Sequence, residues 1–272
     1  MSAIKQSLKK ILPPTLIRAG GQSLDALQRA KGWPEATFHP WRRDTMRRMA
    51  ALKDSRKGER CFIIGNGPSL RETDLSKLKG EFSIGMNRIY LMYPELGFST
   101  SYYLSVNDLV VEQCAADIQA LKLPRFVSWR ARRWLRPEDD LYFLYTTYTG
   151  AGFQKNAAHR LWEGATVTYV AMQLAFYLGF QQVVLIGVDH NFVTQGKPNT
   201  TVVSEGDDPN HFSPSYFGKG FRWQLPDLET SELAYGMAKQ AYQTAGREII
   251  DATVGGKLRV FPRVDYNSLF HG

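Results

Sequence analysis

Apolar residues in this chain fall into short runs that stop on glycine, asparagine or aspartate, with helical periods between several of the runs. The runs are Cys61 to Ile64 ahead of Gly65-Asn66-Gly67, Phe82 to Met86 ahead of Asn87, Ser101 to Val106 ahead of Asn107-Asp108, Arg125 to Trp129, Tyr142 to Thr146, Val183 to Gly187 ahead of Asp189-His190, and Glu248 to Ala252. Such segments, bounded by turn formers, predict buried strands. The clearest helical pattern runs from Thr166 to Leu178, where Val167, Val170, Ala171, Leu174, Ala175 and Leu178 form one stripe and Gly179 stands where a C-terminal cap belongs. Another helix is predicted from Glu229 to Ala245, ending at Gly246, and others over Pro40 to Leu52 and, weakly amphipathic, Ser2 to Leu12. Strands alternating with helices imply crossover connections. The expected fold is therefore α/β and Rossmann-like, a mostly parallel sheet flanked by helices with its ligand groups at the carboxyl ends of the strands.

Residues 192–226 break this rhythm. Long insertions in compact domains are lids or disordered segments, and the aromatic density here (Phe212, Tyr216, Phe217, Phe221, Trp223) predicts a lid. The expected organisation is a basic helical N-terminal arm, 1–58, followed by a nucleotide-binding domain, 59–272, that carries the lid.

Charge supports that division. The net charge is +8, but residues 1–60 hold 14 Lys/Arg against 5 Asp/Glu, a net of +9, and leave the remainder at −1. The arm lacks zinc-finger spacing and the aromatic pattern of an RNA-recognition sheet, which disfavours nucleic acid; an anionic membrane surface or an acidic partner suits it better. Cys61 and Cys114 are the only cysteines, so neither a disulfide framework nor a CxxC metal site is expected. No apolar run is long enough to span a bilayer, and Pro13-Pro14 interrupts the apolar core a signal peptide needs. A cytoplasmic protein, peripheral at the inner face of the membrane, is the expectation.

Candidate chemistry concentrates at the predicted strand ends. Gly65-x-Gly67 after a strand, with Pro68 and a Ser69/Glu72 capping-box spacing behind it, predicts a phosphate-binding loop running into a helix N-terminus. It lacks the third glycine of the dinucleotide fingerprint and the Walker lysine, and the same residues can form a tight turn with no ligand. Asn66, Asn87 and Asn107 at equivalent strand ends suit ribose hydroxyls and a base edge, although any one asparagine also serves as a turn or helix cap. In the lid, His211 is the candidate proton acceptor, with Lys219 and Arg222 as candidate phosphate cations. Asp139-Asp140 and Asp207-Asp208 read as solvated loop charges without a third metal ligand.

The segments Phe62 to Leu70, Met86-Asn87-Arg88-Ile89-Tyr90, Thr166 to Phe180 leading into Val183 to Asp189, and Asn210-His211-Phe212 resemble, in the same order, two related groups. One is the bacterial sialyltransferases that build lipooligosaccharide; the other is the MptE-like domain named for archaeal 6-hydroxymethylpterin pyrophosphokinases. The resemblance spans about residues 60 to 255. It implies a metal-independent, inverting glycosyltransferase of surface polysaccharide or lipooligosaccharide assembly. Its donor would be a nucleotide-activated sugar such as CMP-sialic acid, and its acceptor a glycan or glycolipid. The nucleotide would be held by Asn66, Asn87 and Asn107, and His211 would be the base; Gly65, Gly67, Ser69 and Thr166, beside them, complete the expected nucleotide-binding set. The tyrosines that meet the leaving phosphate in the sialyltransferases are replaced here around Asn191 and Lys197, which leaves Tyr216, Lys219 or Arg222 for that task. The alternatives are a diphosphotransferase using ATP and Mg²⁺, with the metal on Asp108 and Asp189, and a nucleotide-binding scaffold without chemistry.

Overall fold

Seven parallel strands form the centre of the molecule in the order β11-β8-β1-β2-β3-β4-β5. They are β1 (Arg60–Ile64), β2 (Ser83–Met86), β3 (Tyr102–Ser105), β4 (Arg125–Ser128), β5 (Leu141–Leu144), β8 (Gln182–Ile186) and β11 (Glu248–Asp251). Short parallel β6 (Thr146–Thr147) and β7 (Leu161–Trp162) lie beyond β5, and antiparallel β9 (Thr201–Val203) and β10 (Arg222–Gln224) belong to the insertion. This computed structural model describes residues 26, 27, 29–193 and 196–270. The helix expected over residues 2–12 lies outside them. Each predicted strand is present, its ends shifted by a residue or two.

The strands are apolar on both sides because helices cover both faces. Helix α1 (Pro40–Leu52) packs on β5, its buried Thr45 Oγ1 accepting from Phe143 N at 3.2 Å and its Met49 carbonyl from Tyr177 Oη at 2.9 Å. The linker that follows is also tied down, with Asp54 N and Arg56 N donating to the carbonyls of Tyr177 and Leu178. Residues 40–56 of the expected arm are thus built into the body.

Helix α2 (Asp108–Gln113) follows β3, α3 (Val167–Leu178) precedes β8, and α4 (Leu228–Thr244) precedes β11. The sequence stripe on α3 understates its burial. Thr168 through Leu178 are all buried, between β1, β2 and β3 on one side and α4 on another. Truncating a side chain such as Leu174 to alanine would cost about 2–5 kcal/mol by cavity formation. Gly179 ends the helix at φ 100°, in the left-handed region, as its position predicts. Among the described residues no helix is long and apolar enough to cross a membrane.

Chain direction across the sheet reverses at β1, which pairs with β2 on one side and β8 on the other. The strands leave the sheet there almost in contact: a Cβ on Gly65 would lie 2.1 Å from the Gly187 carbonyl oxygen. We expect Gly65→Ala to force β1 and β8 apart at a cost of roughly 3 kcal/mol, lowering Tm by about 6–12 °C. Gly246→Ala, whose Cβ would meet nothing within 4 Å, should cost only the left-handed penalty of about 1 kcal/mol. Equal melting temperatures for the two variants would show that the strand crossing is loose.

Candidate functional site

The carboxyl ends of β1, β2, β3 and β8, the N-termini of α3 and α4, and the insertion enclose a cavity of about 260 Å³. It lies at the reversal of strand order, where open α/β sheets form their ligand crevice. Of the expected residues, Gly65, Asn66, Gly67, Asn87, Asn107, Thr166, Asp189 and His211 line it. Ser69, Asp108, Tyr216, Lys219 and Arg222 do not.

The glycine loop differs from its expected geometry. Neither Gly65 nor Gly67 has positive φ, and Pro68–Glu72 is a five-residue 3-10 turn with no side-chain cap, so the Ser69/Glu72 capping box does not form. The anion position at this turn is filled from within the chain. Asp189 Oδ1 accepts from Ser69 N at 3.1 Å and Oδ2 accepts from Ser69 Oγ at 2.7 Å. A Cβ on Gly67 would sit 1.7 Å from Asp189 Oδ2, so it is this carboxylate that requires glycine there. Burial pushes the Asp189 pKa up, and the two bonds from Ser69 oppose the shift. Ser69 is therefore a support for Asp189.

A longer helix does present its N-terminus to the cavity. Thr166, Val167 and Thr168 at the start of α3 line the wall, with Thr166 Oγ1 accepting from Thr168 N at 3.3 Å. Gly164 and Ala165 before them both have left-handed φ, 57° and 59°, which turns the chain sharply into the helix.

The three asparagines are used differently. Asn107 Oδ1 caps α2, accepting from Leu109 N at 2.9 Å and Val110 N at 3.2 Å, which leaves its amide NH₂ as the group it could offer a ligand. Asn87 sits at φ 51° and its Oδ1 accepts from Ser105 Oγ at 3.0 Å. Asn66 is only 9% exposed, and its Oδ1 is buried without a hydrogen-bond partner. An orphaned buried acceptor costs about 1–3 kcal/mol, so a ligand donor at this point would recover that cost.

His211 stands on the insertion wall. Its Nδ1–H donates to Asp208 Oδ2 at 2.7 Å, and its ring stacks on Tyr216 at 4.0 Å between centroids with 7° between planes. Asp208 also accepts from Asn210 N at 2.9 Å and is buried, which corrects its reading as a solvated loop charge. The carboxylate fixes the tautomer, so Nε2 carries the lone pair and has no protein partner among the described residues. Tyr216 is fully buried, its Oη accepting from Arg88 N at 3.2 Å; it supports the imidazole from outside the cavity lining. Lys219 is exposed, and Arg222 points outward to Glu112 Oε2 at 2.9 Å. Long cationic side chains of a docked insertion remain with the solvent because their heads are costly to bury.

Three carboxylates, Glu163, Asp189 and Asp227, line the cavity, and among the described residues no Lys or Arg does. Asp108 lies behind the wall, both oxygens accepting from Arg130 Nε at 2.9 Å and Oδ2 also from Tyr148 Oη at 3.2 Å. Arg130 Nη2 donates to Glu163 Oε1 at 2.7 Å. Burial raises the Glu163 pKa and Arg130 partly offsets it; burial likewise opposes the charge of Arg130, but Glu163, Tyr148 and Asp108 together hold its pKa above the usual value. The Asp108 and Asp189 pair named for Mg²⁺ does not fit, since Asp108 is spent on Arg130 and Asp189 on Ser69. Among the described residues no group of three or more His, Cys, Asp or Glu is placed to hold a metal ion.

Asp208, Glu163, Tyr148, Asp227 and Tyr235 are absent from the sequence-derived set. Asp208-Pro209-Asn210 carries an Asx-turn signature that could have placed Asp208 next to His211. We expect Lys219→Ala and Arg222→Ala to leave nucleotide affinity within about twofold of wild type, measured with whichever of CMP, UDP, GDP and ATP raises the apparent melting temperature. Asn66→Leu should weaken the same nucleotide by about tenfold or more. A reversed order of effects would move the ligand out of this cavity.

The family described as 6-hydroxymethylpterin diphosphokinase MptE-like matches residues 42–195. A solved structure of the MAf glycosyltransferase from Magnetospirillum magneticum AMB-1 shares the fold over 84% of this chain, with a TM-score of 0.52 and 16% sequence identity. The similarity takes in 39% of that glycosyltransferase chain. No curated protein matches this one. The family match takes in more than half of the sequence and the β1, β2, β3 and β8 strand ends that build the cavity, and the chain belongs to the 6-hydroxymethylpterin diphosphokinase MptE-like family.

Proposed function

We propose that the protein is a glycosyltransferase that takes a nucleotide-activated sugar, with His211 as its general base. The observation that carries this reading is the His211–Asp208 pair on the wall of a cavity at the sheet's switch point. A buried carboxylate on Nδ1 leaves Nε2 basic and oriented, and the imidazolium that forms on proton transfer is stabilised by the same carboxylate. The acceptor hydroxyl gives its proton to Nε2 as its oxygen attacks the anomeric carbon, and the bond to the leaving phosphate breaks on the opposite face, with inversion. The departing charge meets N–H groups at the start of α3 and the amide groups of Asn87 and Asn107. The likeness of fold to the MAf glycosyltransferase is compatible with this chemistry. A CMP-linked sugar as donor and a glycan or glycolipid of surface polysaccharide assembly as acceptor are the finer part of the proposal.

Diphosphate transfer from ATP is the second reading, favoured by the description of the family. It would need cations on the β- and γ-phosphates. The cavity wall offers carboxylates without a Lys or Arg among the described residues, and the pair expected to hold Mg²⁺ is engaged elsewhere.

With the donor found by nucleotide screening, His211→Ala should lower turnover by about a hundredfold or more while nucleotide affinity stays within about twofold. Asp208→Asn should lower turnover by at least about tenfold, again without loss of nucleotide. Near-normal turnover in His211→Ala removes the base and this mechanism. Activity that consumes ATP, disappears with EDTA and returns with Mg²⁺ supports the second reading instead.

A further inference from the structure

Behind the Arg130 cluster lies a second cavity, of about 310 Å³, with the opposite charge. Arg29, Arg130, Arg132 and Arg133 line it against one carboxylate, Glu35. Two of the four arginines are satisfied: Arg130 by Asp108 and Glu163, and Arg132 by Glu35 at 2.6 Å. The other two are not. Arg29 Nη1 donates to Thr149 Oγ1 at 2.7 Å, and Arg133 is exposed; among the described residues neither has a carboxylate partner.

A third cation, Arg160, lies beside Arg29 just outside the cavity lining. Its Nη1 donates to the carbonyls of Thr149 at 3.3 Å and Gly150 at 3.0 Å, and it too lacks a carboxylate partner among the described residues. A Cβ on Gly150 would lie 2.7 Å from Arg160 Nη1 and 3.2 Å from Arg29 Cζ, so one loop residue holds two guanidinium groups close together. Like charges held side by side repel unless an anion joins them. Trp129, only 4% exposed, also lines the cavity, and its Nε1–H is buried without an acceptor. A cluster of cationic forks, two of them lining the cavity without a carboxylate among the described residues, is a donor set that lacks its acceptor, and phosphate oxygens match the arginine fork geometry.

We propose that this second cavity binds a phosphate-bearing group, which on the transferase reading is carried by the acceptor. Tyr148 lines both cavities, so the two ligands would meet across its ring. Arg130, which stacks on that ring at 4.3 Å, keeps the acidic wall of one cavity and the basic wall of the other in register. The anchoring charge of the acceptor would then lie apart from the hydroxyl that attacks. The inference depends on the transferase reading only for the word acceptor; the phosphate site stands on its own geometry.

The test is isothermal titration of the full chain with inorganic pyrophosphate at fixed ionic strength. Arg133→Ala should weaken binding by about tenfold, and adding Arg29→Ala should remove it. Arg133 is exposed and has no protein partner among the described residues, so its loss leaves the fold intact. Asn66→Leu, in the first cavity, should leave pyrophosphate affinity unchanged, and Arg133→Ala should leave nucleotide affinity unchanged. Absence of pyrophosphate binding by wild type at millimolar concentration overturns the proposal. So does binding that survives the arginine changes or falls with Asn66→Leu. Failure of the transferase reading looks different: pyrophosphate still binds through Arg29 and Arg133, but no nucleotide sugar binds or reacts.

Discussion

The close crossing of β1 and β8 at their carboxyl ends is the constraint on which the site depends. Gly67 N donates to the Gly187 carbonyl at 2.9 Å, the Asp189 carboxylate takes both Ser69 donors, and neither Gly65 nor Gly67 leaves space for a Cβ. This seam fixes where β1 ends relative to β8, and so where Asn66 stands relative to Asp189 and the start of α3. Ligand crevices form at such a reversal because the crossover helices diverge there. Here the divergence is roofed by the insertion, whose Phe212 N donates to the Asn66 carbonyl at 2.9 Å.

Charge is sorted between two cavities by one half-buried residue. Arg130 spends its donors on Asp108, Glu163 and the carbonyls of Val106 and Thr146, so it serves neither cavity as a free cation. Removing one member of such a partly buried set leaves an uncompensated charge beside the buried Glu163, which is costly. One wall therefore stays acidic and the other basic. On the proposals above, a donor phosphate in the first cavity would rely on N–H dipoles, whereas an anion in the second would find full positive charges.

Much of this was legible in the sequence because the sheet is parallel and buried. Apolar runs that end on Gly, Asn or Asp mark strand ends, and in a parallel sheet those ends share one edge, so Asn66, Asn87, Asn107 and Asp189 come together from pattern alone. What each polar group does there was not legible. Gly65-x-Gly67 gives the same signal for an external phosphate as for Asp189, which arrives from a strand more than a hundred residues away. Asp208 read as solvent-facing because an acidic pair beside proline looks like loop surface. Its burial accompanies the packing of Tyr216, Phe217 and Phe212 into the apolar core, a tertiary event with no local signature. Lys219 and Arg222 failed for the complementary reason: composition cannot say which face of an insertion is turned outward.

That packing also decides how chemistry and access are linked. His211 and Asp208 both belong to the insertion, whereas Asn66, Asn87 and Asn107 belong to the sheet edge, so the proposed base and the proposed nucleotide groups are on separate parts of the chain. The contacts nearest the cavity that join them include Phe212 N to the Asn66 carbonyl, Arg71 Nε to the Phe212 carbonyl, and Arg88 N to Tyr216 Oη. Each contact ends within one residue of a group that lines the cavity or supports His211. An insertion displaced from the sheet would therefore carry the imidazole away from the sheet edge at the same moment that it opened the cavity to water. On the transferase proposal, such coupling would confine proton abstraction to the closed arrangement, in which an activated sugar is shielded from hydrolysis.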